Sequence, residues 1–252
     1  MKERPRKPAR RILLAIEYDG SELFGSQRQR EYPTVQALIE EAVEKLTGER
    51  VKTVFSGRTD RGVHGLNMLA VFDTAAGMEL EKLAPALNAA LPASVAITSA
   101  REAPPDFHPR RAARAKIYRY RIFNRRVRSP LERGRAWHVT VPLDVNSMRA
   151  AARHLVGTRD FRAFASEAAQ KENTVRTLAA ARVRREGEVI ELDFEGEGFL
   201  YNMVRAMTGS LVEVGRGKEP PGWIIEVLES LDRRKAGPTA PPHGLTLIRV
   251  LW

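Results

Sequence analysis

A single carboxylate, Asp60, stands between Arg58 and Arg61 in the stretch Ser56-Gly57-Arg58-Thr59-Asp60-Arg61-Gly62-Val63-His64-Gly65. A carboxylate beside guanidinium groups stays ionised and oriented, which suits a nucleophile or a general base. The runs 51–56 and 68–74 read as strands, so about ten residues, 57–66, join them. Connections in compact domains usually take about 4–6 residues, and chemistry is commonly placed on loops held by a rigid scaffold. The same residues also fit a plain turn, with Asp60 capping it and the arginines in solvent.

Two further constellations carry chemical side chains. In Ala112–Asn124, Tyr118, Tyr120 and Ile122 share one strand face, while Ile117, Arg119, Arg121 and Phe123 share the other. Aromatics interleaved with arginines predict a stacking platform with a charged rim; half-buried strand tyrosines are the plainer reading. In Phe199–Val214 a helix is predicted whose core stripe is Leu200, Met203, Val204 and Met207. Tyr201, Arg205 and Thr208 would lie together beside that stripe. An arginine there suits a carboxylate or phosphate partner, or snorkels to water.

The elements that must hold these residues follow from periodicity. Arg11–Tyr18 alternates as a strand. Residues 35–46 are apolar at helical spacing, with Thr34 as N-cap and Gly48 as stop. Residues 79–90 read as a helix whose start Pro85 shortens, and 95–101 as a strand. The order is β-α-β-β-α-β, a split βαβ arrangement. A second half repeats it: strands at 116–123 and 135–141, a helix capped by Asp144, a hairpin around Glu186-Gly187, the Arg205 helix, a helix at 223–231 and a last strand at 245–251. The expected fold is therefore α+β, with two ferredoxin-like (RRM-like) halves sharing one continuous mixed, largely antiparallel sheet flanked by helices. A basic tail, 1–10, precedes an N-terminal lobe at 11–105 and a C-terminal lobe at 106–252.

Composition narrows the function classes. The chain has 252 residues, 43% of them hydrophobic, and no cysteine, which excludes disulfides, thiolate nucleophiles and Cys-ligated zinc. Its histidines (His64, His108, His138, His154, His243) form no i,i+4 pair, and no glycine-rich nucleotide loop is present. Neither a metal nor a nucleotide cofactor is implied. No run approaches the ~20 apolar residues of a membrane span, and no signal-type segment follows the basic start; a cytoplasmic protein with no membrane partner is expected. The net charge is +11, with 33 arginines against 9 lysines. Residues 101–135 alone carry +9 and residues 1–11 another +5. Uneven basic charge is the footprint of a nucleic-acid binder, although an arginine-rich composition also raises it.

The loop Gly57–Gly65 resembles the active-site signature of TruA-type tRNA pseudouridine synthases. Lys116-Ile117-Tyr118-Arg119-Tyr120 resembles the family's tyrosine strand, Gly198–Arg205 its arginine helix and Ala236–Gly244 its C-terminal loop. The resemblance spans about 11–252. It implies isomerisation of uridine to pseudouridine at positions 38 to 40 in the anticodon stem-loop of tRNA, without cofactor, in a homodimer. It assigns Asp60 as nucleophile, Tyr118 as the residue stacked on the uracil and Arg205 as the partner of Asp60. Arg58, Arg110, Arg111, Arg114 and Lys116 are then the RNA-binding candidates. Two positions depart from the pattern. Arg61 stands where the family more often has a small residue, and Phe24-Gly25-Ser26-Gln27 lacks a bulky aromatic near Ser26; both bear on the RNA-facing surface. Two other readings compete: a non-catalytic pair of RRM-like halves, whose aromatic signature is missing from the central strands, and a metal-dependent hydrolase using Asp60 with His64, for which Asp73 is the only nearby extra carboxylate.

Overall fold

The computed structural model describes residues 9–167 and 173–252; the basic segment predicted at 1–10 lies mostly outside them. The described chain carries ten strands and six α-helices and is α+β, as its element order predicted. It divides into two compact units, one of residues up to Arg114 together with Arg249–Trp252, the other Ala115–Ile248.

In the first unit, β1 (Arg10–Tyr18) runs antiparallel to β3 (His64–Thr74) on one side and β4 (Val95–Ala103) on the other, and β2 (Val54–Phe55) pairs with β3. Register is set by pairs such as Ile12↔Phe72 and Tyr18↔Gly65, with a bulge between Ile16 and Tyr18. Ile12 to Ile16 are all buried, so β1 is apolar on both faces where alternation had suggested one. Helix α1 (Val35–Thr47) begins and ends as its caps dictate. The Thr34 hydroxyl accepts from the Ala37 N–H, and Gly48 takes a left-handed conformation, φ 74°. Helix α2 (Leu80–Ala90) runs through Pro85, which removes one intrahelical bond without shortening its start. A single turn, α3 (Pro109–Ala112), packs against β2 and β3.

In the second unit, β5 (Ala115–Asn124) pairs antiparallel with β9 (Val189–Gly196), β9 with β8 (Val175–Glu186), and β8 with β7 (Gly157–Asp160). The short β6 (Trp137–Val139) joins β5 in parallel. The β8–β9 hairpin turns at Gly187, φ 56°, as its Glu-Gly signal predicted. Helix α4 (Val145–Arg153), capped by Asp144, lies on β8 and on α5 (Met203–Gly215), which also touches β5. Helix α6 (Trp223–Ser230) and β10 (Leu245–Leu251) complete the chain. Phe161, Phe164, Phe194, Leu192 and Met207 are among the fully buried side chains of this unit.

Candidate active site

The Asp60 loop is fixed from behind by the segment that follows β1. Ser56 closes the last rung after β2, its N–H donating to Leu69 O at 2.8 Å. Thr59, three residues on, is the anchor. Its N–H donates to Ser26 Oγ (2.9 Å), its carbonyl accepts from Ser26 N–H (3.1 Å) and its hydroxyl meets the Tyr18 hydroxyl (2.8 Å). Thr59, Ser26 and Tyr18 are all buried, where unmade polar bonds would be costly. Gly25 makes this approach possible. It sits at φ 89°, and a Cβ there would come within 2.5 Å of Thr59 O. Beyond Asp60 the chain turns, with Val63 N–H donating to Asp60 O and Gly62 N–H to Leu23 O, both at 3.2 Å. Asp60 is half-buried on this braced loop, whereas Arg58 and Arg61 are exposed.

His64 has a structural task. Its Nδ1 lies 3.1 Å from Gly20 N and 3.1 Å from Asp19 Oδ1. The two contacts call for opposite protonation of that nitrogen, and acceptance from the Gly20 N–H fits a neutral ring. Among the described residues, no group of three His, Asp or Glu side chains could hold a metal ion.

The second unit carries the other candidates. Tyr118 on β5 is 8% exposed and packs edge-to-face on Phe199, with centroids 5.1 Å apart. Tyr120 is fully buried and donates to Pro241 O at 2.7 Å; burial pushes its hydroxyl pKa well above the ordinary value. Tyr120 therefore belongs to the core and offers no stacking surface, so the expected platform shrinks to Tyr118, which keeps a small exposed part. The opposite face is no free cationic rim either. Arg119 clasps Asp193, directly across on β9, through Nε (2.8 Å) and Nη2 (3.1 Å), and Arg121 pairs with Glu132 at 3.1 Å.

Helix α5 starts at Met203, four residues later than the periodicity predicts, because Asn202 adopts φ 64° and interrupts the helical path. Tyr201 consequently lies outside the helix and exposed, while Thr208 is fully buried with its hydroxyl on Val204 O. The predicted Tyr201–Arg205–Thr208 face does not form. Arg205 remains, half-buried and held in two directions. Its Nε donates to Ala240 O (2.7 Å) and its Nη1 to Asn202 Oδ1 (2.8 Å), while Ala240 N–H returns a bond to Arg205 O (3.1 Å). The loop 236–244 is thus a brace for Arg205. Gly237 N–H donates to Ser210 Oγ at 2.8 Å, and a Cβ on Gly209 would lie 1.7 Å from Pro238 O. Only glycine lets the loop lie this close to the helix.

Of the expected site residues, Asp60, Arg58, Arg110, Arg111 and Arg114 belong to the first unit, and Lys116, Tyr118 and Arg205 to the second. Arg110, Arg111 and Arg114 are exposed, and α3, which carries the first two, sits on the strands flanking the Asp60 loop. Residue-by-residue reading missed Tyr18, Ser26, Asn202 and Ala240. Their signals are non-local, since each acts on a side chain or loop distant in sequence or across a helix start.

Residues 14–110 and 151–252 match the family described as tRNA pseudouridine synthase. The chain belongs to this family. It is also similar along its length to proteins named tRNA pseudouridine synthase A: 47% identical to that of Pelobacter propionicus, over 96% of this chain and all of that one, and 44% identical to that of Myxococcus xanthus, over 96% and 92%. The protein of Thermoanaerobacter sp. strain X514 is 40% identical over 96% of this chain. Family membership makes the chain an isomerase and sets aside both the non-catalytic RNA binder and the metal-dependent hydrolase.

Proposed function

We propose that this enzyme converts uridine to pseudouridine at positions 38 to 40 in the anticodon stem-loop of tRNA, with Asp60 as nucleophile. The observation that carries this reading is the anchoring of Thr59 by Tyr18 and Ser26, which sets one half-buried carboxylate on a rigid loop. Preorganisation of this kind is what a catalytic group needs and what a solvated turn does not.

The reaction breaks the N1–C1′ bond and makes a C5–C1′ bond; C5 loses its proton and N1 gains one, so no oxidant or reductant enters. Asp60 holds the detached ribose or base covalently between the two steps. A paired uridine must first leave its stack, at a cost of a few kcal/mol, which phosphate contacts from Arg58, Arg110, Arg111, Arg114 and Lys116 offset. Tyr118, steadied by Phe199, stacks on the extruded uracil and serves the late proton transfer. Arg205 pairs with Asp60 and keeps it ionised; its fixation by Ala240 and Asn202 suits a group that must present a guanidinium in one orientation. The enzyme works in the cytoplasm as a homodimer.

The test is pseudouridine mapping on unmodified tRNA incubated with the purified protein in EDTA. Product at positions 38 to 40 is expected, and none with Asp60→Asn. Product elsewhere in the tRNA would overturn the assigned substrate site, and an active Asp60→Asn would overturn the nucleophile. Arg205→Ala should be severely impaired and Arg205→Lys only partly restored, because an ammonium lacks the planar fork; full activity in Arg205→Lys would remove the bidentate role.

A further inference from the structure

The residue after Asp60 is held in an unusual way. Phe24 and Tyr32 stack with centroids 4.2 Å apart and planes 13° from parallel, and the Arg61 guanidinium carbon lies 4.1 Å over the same Phe24 ring. One ring face has room for only one of these neighbours, so Tyr32 and Arg61 cover opposite faces and the order is Tyr32–Phe24–Arg61. Tyr32 is 47% exposed, and Arg61 is exposed. Among the described residues no carboxylate pairs with Arg61, in contrast to Arg119, Arg121 and Arg125, each of which has one. The base of the stack is itself fixed, because Phe24 N–H donates to Pro33 O (2.9 Å) and its neighbour Gly25 lies against Thr59.

We propose that Arg61 is a substrate-binding residue that takes a phosphate of the RNA flanking the target uridine, preset by the Phe24–Tyr32 stack. This rests on the reading of Asp60 as the nucleophile. A guanidinium fixed by an aromatic ring keeps its full charge and its N–H donors for an anion, whereas one fixed by a carboxylate has spent both. The ring occupies its face, so recognition falls to the N–H edge, which matches phosphate oxygens. Its place one residue from Asp60 restricts the phosphate to the immediate neighbourhood of the reacting nucleotide. Holding the side chain in advance also spares the ordering cost that a long flexible arginine otherwise incurs on binding.

The experiment measures affinity of the full-length protein for unmodified tRNA across a salt series, with KM and kcat alongside. Arg61→Ala is expected to weaken binding about tenfold, the weight of one charge-assisted hydrogen bond, with the loss carried by KM. It should lower the slope of log K against log salt by the share of one phosphate, roughly 0.7–0.9. Arg61→Lys should keep the slope but recover only part of the affinity. Phe24→Leu should weaken binding without a further loss when combined with Arg61→Ala. A methylphosphonate replacing the flanking phosphate should weaken wild type and leave Arg61→Ala unaffected. Wild-type affinity and slope in Arg61→Ala, or a methylphosphonate penalty equal in both proteins, overturns the proposal. Asp60→Asn assayed in parallel separates the two readings. If it is inactive while the Arg61 variants behave as wild type, only this inference fails; if it is active, the site assignment itself fails.

Discussion

Thr59 shows how much of this site depends on one side chain that does no chemistry. Its three polar groups are all bonded, two of them to Ser26 and one to Tyr18, and Asp60 follows it directly in the chain. Tyr18→Phe leaves the ring in place and strips only the hydroxyl, so the Thr59 Oγ1 loses its buried partner at a cost of about 1–3 kcal/mol. The expected outcome is a folded protein, slightly lower in Tm, whose kcat falls more than its tRNA affinity; equal kcat in wild type and variant would show that the anchor does not position Asp60. Asp60→Asn, by contrast, should reduce turnover by about a thousandfold or more while retaining tRNA binding. The sequence showed the loop and its carboxylate because the motif is contiguous. It did not show the anchor, because Tyr18 and Ser26 are 41 and 33 residues away from Thr59 and neither carries a local turn or cap signal.

At the scale of elements, local signals were legible and non-local ones were not. Thr34, Gly48, Asp144 and Gly187 ended or turned their elements where their chemistry demands. The start of α5 was misplaced because apolar spacing continues through Phe199 and Leu200, whereas the left-handed Asn202 breaks the helix. The short β7 and α3 escaped because a few residues carry no measurable period. One tie between elements also predicts a pH dependence. Glu40 on α1 is buried, which favours its neutral form, but it accepts from the Thr53 N–H, Gln36 Nε2, Arg28 Nη1 and the Thr53 hydroxyl, and these hold its pKa below the ordinary value. A carboxyl with a lowered folded pKa stabilises above its unfolded pKa of about 4.3, and that contribution disappears as the pH falls through the folded value. Glu40 thereby ties α1 to the segment entering β2 and the Asp60 loop. Glu40→Gln should cost about 2 kcal/mol at pH 7, and the gap from wild type in denaturant titrations should close as the pH falls from the ordinary carboxylate range through the lowered folded value. A gap that is constant with pH would mean that the charge of Glu40 contributes nothing.

For the whole molecule, the +9 carried by residues 101–135 is not one kind of charge. Arg119 and Arg121 are cross-strand or loop partners of Asp193 and Glu132, and Arg125 pairs with Glu188 at 3.0 Å. Arg110, Arg111 and Arg114 are exposed, and no carboxylate pairs with them among the described residues. Counting charges along a sequence cannot make this distinction, because Asp193 on β9 and Glu188 in the β8–β9 turn lie more than sixty residues from the arginines they neutralise. Only unpaired cations release counterions when they meet phosphate, so they alone should govern the salt dependence of tRNA binding. Changing Arg110, Arg111 and Arg114 together to glutamate should weaken tRNA binding strongly. It should also flatten the slope of log K against log salt by roughly 0.7–0.9 for each phosphate the variant no longer neutralises, with the thermal midpoint little changed. Arg119→Ala should do the reverse, losing about 1–2 kcal/mol of stability as Asp193 surrenders its fork, with the salt slope kept. If the triple variant binds with the wild-type slope, tRNA does not use this arm of the protein, and the electrostatic half of the proposed function falls while the catalytic half stands. If Arg119→Ala flattens the slope as well, the ion pairs open on binding and the division drawn between paired and unpaired arginines is wrong.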